Sequence, residues 1–166
     1  VLPGVGAFGD CMNNLARFEL LEVIHGSIAG GKPFLGICVG YQLLFSESEE
    51  FGCHQGLGIL AGKVKAIPLR QAEGGTSLKI PHMGWNTIQV TKPAPPLQGI
   101  APDSYVYFVH SYYVEPVDGS LVSTQTEYGI PFASSVWRDN VFATQFHPEK
   151  SQAVGLQVLK NFGDWQ

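Results

Sequence analysis

Lys32-Pro33-Phe34-Leu35-Gly36-Ile37-Cys38-Val39-Gly40-Tyr41-Gln42-Leu43-Leu44-Phe45 carries a short apolar run into a cysteine with a glycine two positions away on each side. Phe34 to Ile37 reads as a buried strand ending at Cys38, and Tyr41 to about Ser46 reads as a helix. The G-x-C-x-G between them is the thiol form of a nucleophile elbow, a strand-to-helix turn that lifts one side chain above a sheet. Gly36 and Gly40 suit such a turn because it leaves no room for Cβ atoms. At the first turn of a helix, free N–H groups and the macrodipole favour a thiolate, the attacking species, so the position predicts an activated thiol. A buried structural cysteine is the plain alternative.

On the N-terminal side, Val1-Leu2 reads as the end of a strand and Pro3-Gly4-Val5-Gly6-Ala7-Phe8-Gly9 as a glycine loop. Asp10 is placed to cap one helix from Cys11 to about Ala29, with Leu15, Phe18, Leu21, Ile24 and Ile28 near helical spacing and Gly30-Gly31 as its stop. Glu47, Glu49 and Glu50 read as a solvated acidic cluster at the end of the second helix, with no binding role. Beyond them, 62–67, 86–90, 105–109, 121–124, 132–137 and 141–145 alternate or run like strands. Gly74-Gly75 and Pro93 to Pro96 mark loops, and Arg138-Asp139-Asn140 a hairpin turn. Ser151 to about Phe162 reads as a closing helix, with Val154, Leu156, Val158, Leu159 and Phe162 mostly inward. The order predicts a single α/β domain over 1–166, three-layer α/β/α, with a mainly parallel central sheet and an antiparallel extension.

Composition narrows the function. The chain has 166 residues, a net charge of −4 and only 14% charged residues, with no basic stretch, so nucleic acid is not an expected partner. No apolar run is long enough to span a membrane. Cys11, Cys38 and Cys53 form no paired framework and no C-x-x-C, which fits a reducing, cytoplasmic setting. No metal cluster emerges, since His54 beside Cys53 lacks further ligands, and no cofactor is expected. His25 reads as an inert surface residue. His82 and His110, in Pro81-His82-Met83-Gly84-Trp85-Asn86 and His110-Ser111-Tyr112-Tyr113, read as strand-end and loop packing.

Gly4, Gly6 and Gly9 also spell G-x-G-x-x-G before a helix. A dinucleotide site would need an acidic residue at the end of the next strand, and that strand ends in Gly36-Ile37-Cys38. The loop reads better as backbone facing a developing oxyanion, with Val39 N–H as the partner donor. A nucleophilic cysteine needs a base, and the base an orienter. Phe146-His147-Pro148-Glu149-Lys150-Ser151 supplies both: His147 as base and acid, Glu149 to hold its tautomer. A capped helix start is the bland reading of His-Pro-Glu alone.

These stretches together resemble the triad glutamine amidotransferases. The elbow and F-H-P-E are shared across that family. Pro3 to Gly9, Pro81 to Asn86 and Glu149-Lys150-Ser151 resemble more narrowly its glutaminase subunits of imidazole glycerol phosphate synthase, in histidine biosynthesis. The resemblance implies Cys38, His147 and Glu149 as catalytic residues and Gly4, Val5 and Val39 as the oxyanion site. It places glutamine across Gly6, Gln42, Ser111 and Tyr112, with the Gln42 amide reaching the amino-acid head. Met83, Trp85, Asn86 and Lys150 would face a (β/α)8 cyclase in a heterodimer that receives the ammonia. Rival readings are an amidotransferase subunit for anthranilate, carbamoyl phosphate or GMP synthesis, and a non-catalytic binding module of the same fold. Relatives often carry Leu-Gly-Met where this chain has Val39-Gly40-Tyr41. The first strand and helix of the family, ahead of the glycine loop, are expected to be missing.

Overall fold

The computed structural model describes residues 1–68 and 78–165; the loop expected at Gly74-Gly75 lies outside them. The order is β1 (Leu2–Gly4), α1 (Phe8–Arg17), α2 (Leu20–Ala29), β2 (Phe34–Cys38), α3 (Val39–Gln42), β3 (Phe45–Ser48), β4 (His54–Gln55), β5 (Leu60–Ala66) and β6 (His82–Val90). There follow β7 (Ser104–His110), β8 (Tyr112–Pro116), β9 (Val122–Glu127), β10 (Pro131–Arg138), β11 (Val141–Thr144) and α4 (Gln152–Asp164). Short 3-10 turns occupy Pro95–Leu97, Gly119–Leu121 and Pro148–Lys150.

Seven strands form one sheet in the order β1-β2-β11-β10-β9-β6-β7, and β4-β3-β5-β8 form a second. β1, β2 and β11 run parallel; β10, β9, β6 and β7 continue the sheet antiparallel. The parallel part is buried. Every residue of β2 and of β11 is shielded, as expected of strands covered on both faces. The main core gathers Leu35, Tyr41, Leu44, Phe45, Leu60 and Phe142, all at 0% exposure. A smaller aromatic core of Phe108, Phe132 and Phe146 with Ile88 and Val106 lies under the antiparallel part. Tyr41 is accommodated in this core: its ring meets Phe45 edge-on and its hydroxyl donates to the Ala133 carbonyl at 3.1 Å.

Several expectations give way. The single helix over Cys11–Ala29 is two helices, broken at Glu19, which sits at φ 58°. Leu15 and Ile24 are both buried. Nine residues apart at 100° per residue, they would face about 180° away from each other on one straight helix. The break restores both to the core and leaves Phe18 at 64% exposure. Asp10 does not cap α1. The helix begins at Phe8, whose N–H is taken by the Glu50 carboxylate at 2.7 Å. The second helix is one turn, Val39–Gln42, and Phe45 already begins a strand. Leu156 points to solvent, while Val158 carries the buried face of α4.

Candidate active site

Parallel pairing places Gly4 of β1 opposite Cys38 of β2, so the glycine loop and the cysteine leave the sheet side by side. Cys38 has φ 54° and ψ −110°, a conformation that is strained for any residue with a Cβ. The flanking glycines allow the approach that forces it. A Cβ on Gly40 would lie 1.8 Å from the Leu2 carbonyl oxygen, and one on Gly36 would lie 2.9 Å from the Gly40 carbonyl oxygen. The elbow read from G-x-C-x-G is therefore present, and its glycines are steric necessities.

The second half of the site comes from the end of β11. Strand β11 pairs in parallel with β2, which carries the segment after Thr144 to the same rim as Cys38. His147 N–H donates to the Tyr107 carbonyl at 2.9 Å, and Tyr107 N–H donates to Ser151 Oγ at 2.9 Å. Ser151 Oγ donates back to the His147 carbonyl at 2.6 Å. The turn is thus laced to β7 on both sides of the histidine. His147 Nδ1 lies 2.7 Å from Glu149 Oε1, which fixes a proton on Nδ1. His147 Nε2 is buried and has no hydrogen-bond partner among the described residues.

One cavity of about 350 Å³ is lined by Val5, Gly6, Cys38, Val39, Gln42, Ser111, Tyr112, His147 and Lys150, within the size range of small-molecule sites. Residues expected from four separate stretches converge there. Gly4 lies at its edge opposite Cys38, and Glu149 stands behind His147. The Cys38 thiol donates towards the Val109 carbonyl at 3.9 Å, so it is not hydrogen-bonded to His147 in this state.

The thiol is not activated by its helix. Burial pushes the Cys38 pKa up to about 11, and the Glu149 charge pushes the same way; the Val39 N–H opposes them without winning. The four residues of α3 are too few for a substantial macrodipole. The expectation of a resting thiolate is corrected: desolvation outweighs the helix terminus.

The expected partner-facing residues divide. Met83 and Trp85 are 62% and 45% exposed. Trp85 meets the Tyr107 ring edge-on, and Lys150 Nζ lies 5.9 Å from that same ring. Asn86 belongs to the opposite face of β6, with His82 and Ile88. It donates both amide hydrogens internally, to His82 Nε2 (3.2 Å) and the Glu127 carbonyl (2.9 Å). Gln42 is likewise committed, donating to the Tyr112 carbonyl (3.1 Å) and to Gln145 Oε1 (3.0 Å).

Two functional candidates escaped the sequence reading. Glu50 is no member of a solvated cluster; it lines the cavity while its carboxylate caps α1. Nothing local in Glu47-Ser48-Glu49-Glu50 distinguishes it, because its partner is 42 positions away. Gln145 is wholly buried, with Nε2 3.8 Å from Cys38 Sγ. A buried amide two residues ahead of the base was the available signal. Among the described residues, no group of three His, Cys, Asp or Glu could hold a metal ion.

Residues 1–164 match the family Glutamine amidotransferase class-I. The chain is 59% identical over 164 residues to "Imidazole glycerol phosphate synthase subunit HisH" of Syntrophotalea carbinolica, covering 99% of this chain and 80% of the relative. It is 55% identical over 162 residues to the protein of that name from Aquifex aeolicus, covering 98% and 75%. In structure it resembles a glutamine amidotransferase at TM-score 0.66 and 18% identity, covering 97% of this chain and 77% of the other. A glutamine amidotransferase from Thermotoga maritima gives TM-score 0.61 and 15% identity, with 97% and 59% covered. Cysteine elbow, His–Glu pair and sequence likeness agree: the chain belongs to the class-I glutamine amidotransferases, in the group of imidazole glycerol phosphate synthase subunits HisH.

Proposed function

We propose that this chain hydrolyses glutamine to glutamate and ammonia at Cys38, as the glutaminase subunit of imidazole glycerol phosphate synthase in histidine biosynthesis. The observation that carries the reading is the single cavity that holds both a strained cysteine elbow and an unpartnered, glutamate-oriented imidazole nitrogen.

His147 Nε2 takes the thiol proton when Cys38 turns from the Val109 carbonyl. The imidazolium that forms is stabilised by Glu149 through Nδ1–H. Sγ attacks the side-chain amide carbon of glutamine, and the oxyanion lies between Val39 N–H and the Gly4-Val5-Gly6 loop. The C–N bond breaks as His147 Nε2–H protonates the departing nitrogen, giving ammonia and a γ-glutamyl thioester. Water, deprotonated by His147, adds to the thioester; the C–S bond breaks, and glutamate leaves with the thiol restored.

The amino-acid head of glutamine lies against Gly6, Gln42 and the backbone of Ser111 and Tyr112. Gln42 contributes there through Oε1, because its amide hydrogens are spent. The Glu50 carboxylate is the anionic group of the cavity that suits the substrate ammonium. Ammonia passes to a (β/α)8 cyclase docked on the Met83, Trp85 and Lys150 face, where exposed aromatic surface suits the centre of an interface. The single domain 1–166 forms a heterodimer with that cyclase in the cytoplasm. Three free cysteines fit a reducing compartment, and among the described residues no helix is long and apolar enough to cross a membrane.

Ammonia release from glutamine, followed with and without the cyclase, tests this reading. The parent turns over, faster in the complex, and Cys38→Ala loses about a thousandfold or more. Full turnover by Cys38→Ala would refute it.

A further inference from the structure

The two buried histidines that read as packing belong to a hydrogen-bonded chain that ends on the nucleophile. His82 and His110 are directly paired across β6 and β7 and are 3% and 6% exposed. Backbone carbonyls only accept, and two of them fix the sense of the bonds, Glu127 at the far end and Tyr112 in the middle. The Tyr112 carbonyl requires a proton on His110 Nδ1 (2.8 Å) and requires the amide nitrogen of Gln42 to face it (3.1 Å). With Nδ1 protonated and the ring neutral, His110 Nε2 accepts from His82 Nδ1–H at 2.9 Å. His82 Nε2 is then an acceptor, and Asn86, anchored on the Glu127 carbonyl, donates to it. On the other side of Tyr112, the remaining Gln42 hydrogen goes to Gln145 Oε1. That leaves Gln145 only one orientation, with Nε2 turned to Cys38 Sγ at 3.8 Å. No alternative set of tautomers and amide flips satisfies both carbonyl anchors with neutral rings. Burial keeps the rings neutral, lowering His82 to about 4 and His110 to about 3.

Resting on the glutaminase reading for its consequence, we infer that Gln145 is a further catalytic residue, an N–H donor to the Cys38 thiolate, and that Gln42 is the positioning residue that holds its amide in the donating sense, while Asn86, His82 and His110 act only by fixing the place of the Tyr112 carbonyl that orients Gln42. The thiolate needs such a donor. It forms in a buried site beside the Glu149 carboxylate, opposed by desolvation and favoured by Val39 N–H and the Lys150 charge. A second N–H aimed at sulfur supports it at the moment His147 removes the proton, then follows the sulfur through attack and release. The charged and titratable groups facing the thiol are His147, Glu149 and Lys150 from the 147–150 turn, Glu50, His110 from the end of β7, and Cys11 from α1.

The test is the pH dependence of Cys38 alkylation by iodoacetamide in the full chain, followed by mass spectrometry with exposed Cys53 as internal reference. Gln145→Met removes the donor to sulfur without placing a carboxyl group 3.8 Å from it. A hydrogen bond to a charged group is worth roughly one pKa unit or more, so alkylation of Cys38 relative to Cys53 falls about tenfold below the titration midpoint. His82→Phe keeps a ring to stack on Phe108 and Tyr128 but cuts the chain; it lowers the rate in the same direction by about threefold, and His82→Gln recovers part of the loss. Circular dichroism identifies the folded variants, and Gln145→Leu is the substitute should Gln145→Met unfold. Unchanged alkylation profiles in the folded variants overturn the inference. Iodoacetamide needs no glutamine site, so a parent that alkylates as described but releases no ammonia contradicts the glutaminase reading and leaves the donor role standing.

Discussion

Cys38 is held at φ 54° by two close backbone approaches, and burial makes its thiol a poor acid. These facts belong together. On the proposed mechanism, a strained, desolvated thiol stays protonated until substrate arrives, and its ionisation is coupled to His147 rather than stored in the resting state. The glycine spacing was legible because the steric demand of the turn is local. The sense of the pKa shift was not, because it depends on what covers the sulfur, and Val109, Gln145 and Glu149 come from distant parts of the chain. The raised pKa has a stability consequence. Below about pH 9 both folded and unfolded chains hold the Cys38 proton; between pH 9 and 11 the unfolded chain releases it while the folded chain keeps it. Stability from this group is therefore complete below pH 9 and lost as pH rises through 11, an effect of at most about 3 kcal/mol. Urea midpoints at pH 8 and pH 10.5 should fall further apart in the parent than in Cys38→Ala. Buried Tyr41, also shifted upward, contributes equally to both and cancels. Identical slopes would mean that the thiol titrates normally.

At the scale of elements, long amphipathic runs and strand alternation were readable, and short connections were not. Strands β5, β6, β7, β9, β10 and β11 and helix α4 fall on the segments expected from pattern, with the hairpin turn at Arg138-Asp139-Asn140 where it was read. The break between α1 and α2 follows from the phase mismatch of Leu15 and Ile24, which a list of apolar positions does not reveal without the angle between them. β3 was hidden because only Phe45 of Phe45-Ser46-Glu47-Ser48 is apolar, and that residue closes the short run Leu43-Leu44-Phe45 that reads equally as helix. The element with most bearing on chemistry is α4. A Cβ on Gly155 would stand 1.9 Å from the Pro148 carbonyl oxygen, so α4 packs directly on the turn that carries His147 and Glu149. Gly155→Ala must push that turn away. The expected result is a loss of about 1–3 kcal/mol in stability and a drop in kcat well beyond tenfold, since a shift of about 1 Å at the base costs of that order. Thermal melting and steady-state kinetics measure both. Unchanged kcat in a destabilised protein would show that the turn is held by β7 alone.

For the molecule as a whole, the site exists because β1, β2 and β11 run parallel and end at one rim, where the β7–β8 junction closes the cavity over them. The glycine loop, the elbow, Ser111-Tyr112 and the F-H-P-E stretch could each be read as chemistry, but only the sheet order brings them to one place. Glu50 and Gln145 were harder to read for the converse reason: each is ordinary in its own stretch, and its contact at the cavity or the sulfur is made by the fold. The most direct test is acid quench of the enzyme turning over glutamine, with mass spectrometry of the Cys38 peptide. A γ-glutamyl adduct on Cys38, formed within one turnover and depleted when glutamine is exhausted, is the predicted result. Ammonia release at the normal rate with Cys38 unmodified at every time point would contradict it.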